Sequence, residues 1–237
     1  NISLNLAHNE NEVTRLSNDV FTMDKILLGD VFIRGGSSSG THVLEEGRPI
    51  GQFYGLVCNG IDENGRYILV DKDGDGEISD PADYDYIGSA QPKLTYGITN
   101  SFRYKNFDLS FFLRGTIGND ILNATRMAYA QSGFLPGTNA LDDPLTYTLS
   151  ETPRFSNYYL EKGSFMRLDN LTLGYKIKAL NGIRVYFTAQ NLFVITKYKG
   201  LDPEVPMDSG DGLTPGVEPR EFYPKARTFS VGLNLNF

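Results

Sequence analysis

The chain has 237 residues, room for one large domain or two small ones. A formal net charge of -7 and the lack of any basic cluster with interleaved aromatics argue against nucleic acid as a partner; the single cysteine, Cys58, rules out an internal disulfide framework. No apolar run is long enough for a transmembrane helix, but 14 Tyr, 15 Phe and 25 Gly favour strands and turns, and a barrel of alternating strands stays open. The chain begins NISLN, with neither an initiator Met nor a secretory signal, and reads as a mature protein or a piece of one.

Period-two alternation dominates the chain. ISLNLAHN sets Ile2, Leu4 and Leu6 against Ser3 and Asn5. GGSSSG (Gly35–Gly40) lacks the Lys of a phosphate loop and reads as a flexible linker. PIGQFYGLVCNG gives a less regular strand. PKLTYGITNSFRYKNFDLSFFLRGTIG predicts a long hairpin turning at Lys105-Asn106. Leu94, Tyr96, Ile98 and Phe102 share one face with Phe107, Leu109, Phe111 and Leu113 on their own arm, and Phe112 is out of pattern. NDILNATRMAYAQ predicts a short helix capped by Asn119. In SFMRLDNLTLGYKI, Leu171, Leu173, Tyr175 and Ile177 oppose Thr172, Gly174 and Lys176; a short turn follows. IRVYFTAQNLF and RTFSVGLNLNF continue the alternation to Phe237.

These stretches predict about seven antiparallel strands. Three features point to a membrane barrel rather than a soluble sandwich. The strands run to roughly nine to twelve residues, the length a tilted strand needs to cross a bilayer. The polar face is mostly Thr, Ser, Asn, Gln and Gly, suited to a watery lumen. Aromatics such as Tyr96, Phe102, Tyr104, Phe107, Tyr175, Phe193, Tyr223 and Phe229 gather near strand ends, as an interfacial girdle requires. If the last strand ends on the periplasmic side, the short turns at 105–106 and 179–182 face the periplasm. The long segments 61–91, 118–163 and 194–225 then face outward, while the long 9–49 connection breaks the alternation. An odd strand count leaves two bare edges, so the chain reads as part of a barrel whose other strands lie elsewhere.

DKDGDGEISDPAD is the clearest site motif. Asp71, Asp73 and Asp75 take positions 1, 3 and 5 of an EF-hand-like loop, Gly76 the sharp turn, and Glu77 would offer its carbonyl. Position 12, where an acid should close the site, is Ala82; Asp83 follows it and is the closing candidate. A bound Ca²⁺ there would brace an outward loop rather than perform chemistry. The bland alternative is a solvated acidic turn.

In order, GRPIGQFYGLVCNGI, the acidic stretch with its hairpin, FMRLDNLTLGYKI, VYFTAQNLFVITKYKGLDPE and RTFSVGLNLNF resemble the C-terminal portion of SusC-like TonB-dependent outer-membrane transporters of Bacteroidota. The resemblance runs nearly continuously from Gly47 to Phe237. It implies a barrel of about 22 strands with an internal plug, in contact with outer-membrane lipid and lipopolysaccharide. It further implies a SusD-like surface lipoprotein as partner and import of an oligosaccharide (glycan) or peptide cargo driven by TonB. The TonB contact, the plug and the early strands would lie in the remainder of the transporter, outside this sequence.

Nothing in the sequence supports an enzyme. His8 and His42 sit in polar stretches and read as solvated; the pairs Glu45-Glu46 and Asp142-Asp143 fall in loops. Arg103, Arg114, Arg167, Asp169, Arg184 and Gln190 are lumen-facing candidates, but charges on neighbouring strands more often pair with one another. The alternative to an importer segment is a Ca²⁺-stabilised soluble β-module acting as a surface adhesin or glycan-binding domain.

Overall fold

The computed structural model describes residues 1–33, 36–133, 135–178, 183–205, 212–220 and 223–235. Strand β1 (Ile2–Ala7) opens the chain. Residues 8–93 then form one insertion carrying β2 (Lys25–Ile33), β3 (Gly36–Glu45), β4 (Gln52–Leu56), β5 (Cys58–Ile61), β6 (Tyr67–Leu69) and β7 (Tyr84–Ser89). The chain returns as β8 (Leu94–Tyr104), which lies antiparallel beside β1. A tight turn, with Lys105 at φ 54, leads into β9 (Phe107–Ile117). A second insertion carries β10 (Asp120–Leu122), α1 (Ala124–Tyr129), α2 (Pro144–Thr148) and β11 (Leu160–Lys162). Then come β12 (Phe165–Ile177), β13 (Ile183–Thr196), a third long segment and β14 (Thr228–Asn234). The predicted turn at 179–182 and the terminal Phe237 lie outside the described residues.

Six strands form one antiparallel sheet in the order β1-β8-β9-β12-β13-β14. Its register sorts side chains by face. One row runs Ile2, Asn100, Phe111, Leu171, Ala189, Phe229; a row on the opposite face runs Ser101, Ser110, Thr172, Thr188, Ser230. Polarity is inverted relative to a soluble protein: Leu4 is 57% exposed, Phe229 58% and Val231 75%. No second sheet covers this apolar face among the described residues. Such a surface is tolerated in hydrocarbon, where water is absent. The sheet is not closed, and β1 and β14 each leave an edge unpaired among the described residues.

The predicted strand in PIGQFYGLVCNG is real but belongs elsewhere. It is β4, inside a smaller sheet of order β2-β3-β4-β7. Its alternation serves a different core, buried at Phe53, Gly55 and Leu56. Among the described residues the wall therefore has six strands rather than seven, and the connections between them alternate long, short, long, short, long. The 9–49 connection and the 61–91 segment are parts of the same insertion.

All three long segments leave the sheet at the same end of its strands and share a folded cap. Its core joins Val31, Phe53 and Tyr67 of the first insertion to Leu122, Met127, Leu145, Phe155 and Tyr159 of the second, with Val217 of the third packed against them. Each large apolar side chain buried there contributes about 1.5–3 kcal/mol. Gly55 is required by this packing, because a Cβ would lie 2.5 Å from Cε1 of Phe155. Backbone bonds bind the segments to one another: Leu122 N–H donates to Gly216 O at 2.9 Å, and Ser150 N–H to Gly65 O at 2.9 Å.

Two local expectations change. Helix α1 is capped by Asn123, whose side chain accepts from Arg126 N–H at 2.8 Å, not by Asn119, because Asp120–Leu122 pairs as β10 with β11. The stretch from Gly36 to Gly40 is not a linker: it is the first half of β3, in register with β2.

Candidate functional site

The acidic loop links β6 to β7 on the cap. Gly74 (φ 78) and Gly76 (φ 89) take left-handed conformations that L residues rarely adopt, and these fold the loop back on itself. Asp71 then accepts from Gly74 N–H at 2.6 Å and Gly76 N–H at 2.9 Å; Asp73 accepts from Asp75 N–H at 3.1 Å, and Asp75 from Glu77 N–H at 2.8 Å. Asp83 is fully buried at the base. It accepts from Lys72 N–H at 2.6 Å and Ser79 N–H at 2.8 Å. These bonds, from Ser79 and then Lys72, hold its carboxyl below the usual carboxylate range. Arg154 of the second insertion donates to Asp80 at 2.6 Å, tying the loop to the rest of the cap.

Asp71, Asp73 and Asp83 each offer an oxygen within 4.8 Å of the others. The carboxylates of Asp75 and Glu77 are exposed and lie outside that group. The donors suit a hard cation. An ion ligated at about 2.3–2.6 Å holds its oxygens no more than about 5 Å apart, and a carboxylate oxygen that accepts one N–H bond keeps a lone pair free.

A second constellation lies on the polar face of the wall, at the cap end. Arg114 and Arg167 are directly opposed on β9 and β12. Such a like-charge pair is unfavourable unless answered. The third long segment answers it. Arg114 forks onto Glu204, Nη1 to Oε1 at 2.6 Å and Nη2 to Oε2 at 3.0 Å, and reaches Asp169 at 3.1 Å. Arg167 donates to Asp202 at 2.5 Å, with both side chains only 4% exposed. Lys225 adds a bond to Glu204 at 2.5 Å. Burial alone would raise the Glu204 carboxyl, but the bonds from Arg114 and Lys225 outweigh it and hold it below its ordinary value.

Of the lumen candidates, Arg114, Arg167, Asp169 and Arg184 are thus engaged in ion pairs, Arg184 with Asp108. Arg103 and Gln190 are exposed. His8 is exposed and bonds the Lys93 carbonyl at 2.6 Å. His42 is not solvated: it is fully buried, bonds the Pro215 carbonyl at 2.9 Å and lies against Phe53. Of the paired acids, Glu45 meets Arg48 and Asp143 meets Arg126, both within the cap.

Sequence reasoning missed Asp202 and Glu204, although TKYKGLDPE was visible as a motif, because their arginine partners lie a full strand and loop away. It also missed Glu218, a fully buried carboxylate that accepts from Thr125 N–H and Leu201 N–H, both at 3.1 Å.

No family profile matches the chain. Among curated proteins, the TonB-dependent receptor SusC of Bacteroides thetaiotaomicron is 35% identical, with 100% of this chain and 24% of that protein covered. The TonB-dependent receptor P3 of Formosa agariphila is 34% identical, with 83% of this chain and 23% of that protein covered. Among solved structures, a chain of the RagAB peptide transporter superposes with a TM-score of 0.73 at 25% identity, covering 98% of this chain and 26% of that one. The chain thus spans about a quarter of the length of the relatives it matches. Such receptors are β-barrels of the outer membrane of Gram-negative Bacteroidota, which puts the apolar face in lipid and the cap outside the cell. The chain belongs to the SusC-like TonB-dependent receptors, as a section of barrel wall with the surface cap that its three long segments build.

Proposed function

We propose that this chain is the wall and cap of an outer-membrane importer that takes up an oligosaccharide or peptide with energy delivered through TonB and with a SusD-like lipoprotein as surface partner. The observation that carries this reading is the asymmetry of the molecule. A six-stranded wall with an apolar outer face bears short turns at one end and one large folded cap at the other. A soluble adhesin has no use for the exposed row at Leu4, Phe229 and Val231. The likeness to SusC and to the RagAB peptide transporter supports import and a lipoprotein partner. In this scheme the wall fixes the cap over the lumen, and the plug and TonB contact belong to the rest of the receptor.

The acidic loop is part of the proposal. Asp71, Asp73 and Asp83 would hold Ca²⁺, with the Glu77 carbonyl and the Asp75 carboxylate as further donors; the ion would neutralise the crowded charge and stiffen the cap. The test of the import reading is to isolate the receptor from native outer membranes in mild detergent and identify what accompanies it by mass spectrometry. Co-purification of a surface lipoprotein with the full-length receptor is expected. Release of the chain as a monomer in detergent-free buffer would overturn the reading.

A further inference from the structure

The third long segment joins the cap through a parallel bridge between Leu122 and Val217: Leu122 N–H donates to Gly216 O, and Glu218 N–H to Leu122 O. Because the bonds fall on the residues either side of it, Val217 turns its own N–H and C=O away from β10. Its side chain packs against the cap core, and its main-chain groups have no hydrogen-bond partner among the described residues. Val217 borders an open hollow of about 410 Å³, lined also by Asp30, Val31 and Phe32 of β2 and by Pro219 and Arg220. β2 is an outer strand of its sheet, so alternate N–H and C=O groups along it point away from β3. Unpaired main-chain groups therefore border the hollow from two separate stretches of chain.

The side chains around it are also unspent. Phe32 is 46% exposed, and the Arg220 guanidinium lies over its ring, 4.0 Å from the centroid. Neither Arg220 nor Asp30 forms an ion pair among the described residues, although Lys25 at the start of the same strand pairs with Glu45. Free N–H and C=O groups, an exposed ring, a carboxylate and a guanidinium together match an extended polypeptide. Such a chain offers N–H and C=O on both of its edges, about 4.8 Å from each neighbour, and side chains of either charge. A small anion is repelled by Asp30, and a sugar chain has no main-chain ladder to pair with a strand edge.

We propose that β2 and the stretch at Val217 form a slot that binds an extended peptide through its main chain, by strand addition, with Asp30 and Arg220 meeting its charged side chains. Recognition through the main chain makes the slot tolerant of sequence. This rests on the import reading and deepens it, selecting a peptide over an oligosaccharide as the cargo.

The test uses the full-length receptor purified in mild detergent, with a photoreactive amino acid in place of Pro219, which lines the hollow, and separately in place of Tyr147, an exposed cap residue outside it. The ligand is a tagged octapeptide of alternating Thr and Val bearing one Lys and one Glu. The Pro219 probe is expected to capture the octapeptide and the Tyr147 probe to leave it free. N-methylation of alternate amides, which removes the donors of one edge and keeps the side chains, should cut capture several-fold, as should Asp30→Asn combined with Arg220→Gln. An excess of a linear glucan should leave capture unchanged. If the double variant fails to fold, the N-methylated peptide against the unaltered receptor decides alone. No capture, equal capture of the N-methylated peptide or by the folded double variant, equal capture at Tyr147, displacement by the glucan, or a Pro219 adduct only within the receptor itself overturns the slot. A surface lipoprotein that still co-purifies with the receptor then leaves the import reading standing; its loss removes that reading separately.

Discussion

Arg184 reaches Asp108 from two strands away by lying across Gly174. β12 runs between β9 and β13, and Gly174 is the register partner of Asp108. A Cβ at Gly174 would meet Arg184 Nε at 2.5 Å and Asp108 Oδ1 at 2.6 Å. The glycine of NLTLGY is therefore a crossing point for a salt bridge, not a weakness in the strand. Gly174→Ala should destabilise the wall by about 1–3 kcal/mol through overpacking. The check is denaturant unfolding of the receptor in detergent, run as a double-mutant cycle with Arg184→Ala. The two losses should be clearly less than additive, because the alanine has no guanidinium to displace once Arg184 is gone. Additive losses would mean the two residues are not coupled.

The buried pair Arg167–Asp202 makes a second prediction. Removing one partner strands a charge in a site only 4% exposed, at a cost of about 3–5 kcal/mol, whereas replacing both by apolar residues of similar volume is often nearly neutral. Arg167→Met alone should thus loosen the third long segment more than Arg167→Met combined with Asp202→Leu. Limited proteolysis within 197–227 reads the difference, and equal susceptibility of the two variants would refute it.

Acid should weaken the same anchor. The folded-state carboxyl of Glu204 lies below its ordinary value, so the unfolded form binds protons first. Its contribution is fully present above an ordinary Glu value of about 4.3 and is lost as pH falls through the lower folded value. The third segment should become protease-sensitive below about pH 4, and Glu204→Gln should flatten that dependence while lowering the plateau at neutral pH.

Calcium gives a fourth expectation. Addition of Ca²⁺ should raise the unfolding temperature of the cap, a chelator should reverse the effect, and Asp71→Asn with Asp73→Asn should abolish the response. A calorimetric trace indifferent to calcium in the unaltered receptor would remove the ion from the proposal.

The core of the cap can be probed at Phe155, which is 1% exposed. Phe155→Ala should cost about 3–5 kcal/mol in cap stability. Hydrogen exchange should speed up in β4 and in α1 while the amides of β9 and β12 stay protected; uniform acceleration across both would show that wall and cap do not unfold separately.

The wall was legible because its signal is local: alternation in TYGITNSF or NLTLGYKI declares two faces whatever the partner strand. The cap was not, because its core gathers Val31, Phe53, Leu122 and Tyr159 from distant parts of the chain, and no window of sequence contains the set. That is why β4 was assigned to the wall and His42 to solvent. The acidic loop lies between these cases. Asp71, Asp73 and Asp83 come together in the structure as a group, and the spacing of DKDGDG shows in the sequence. Yet the burial of Asp83 depends on β7, and the Arg154 tether on another insertion. Asp202 and Glu204 were illegible as anchors for the same reason, since each needs an arginine from a strand it does not adjoin in sequence.

One core drawn from three segments also constrains how such a surface can change over generations. Gly65 bonds Ser150, Leu122 bonds Gly216, and His42 bonds Pro215. A recombination event that imports one outer loop from a relative delivers only half of two of these three contacts. Variation that keeps the cap folded must therefore travel as a trio: residues near 65, near 150 and near 215 are inherited together or repaired together.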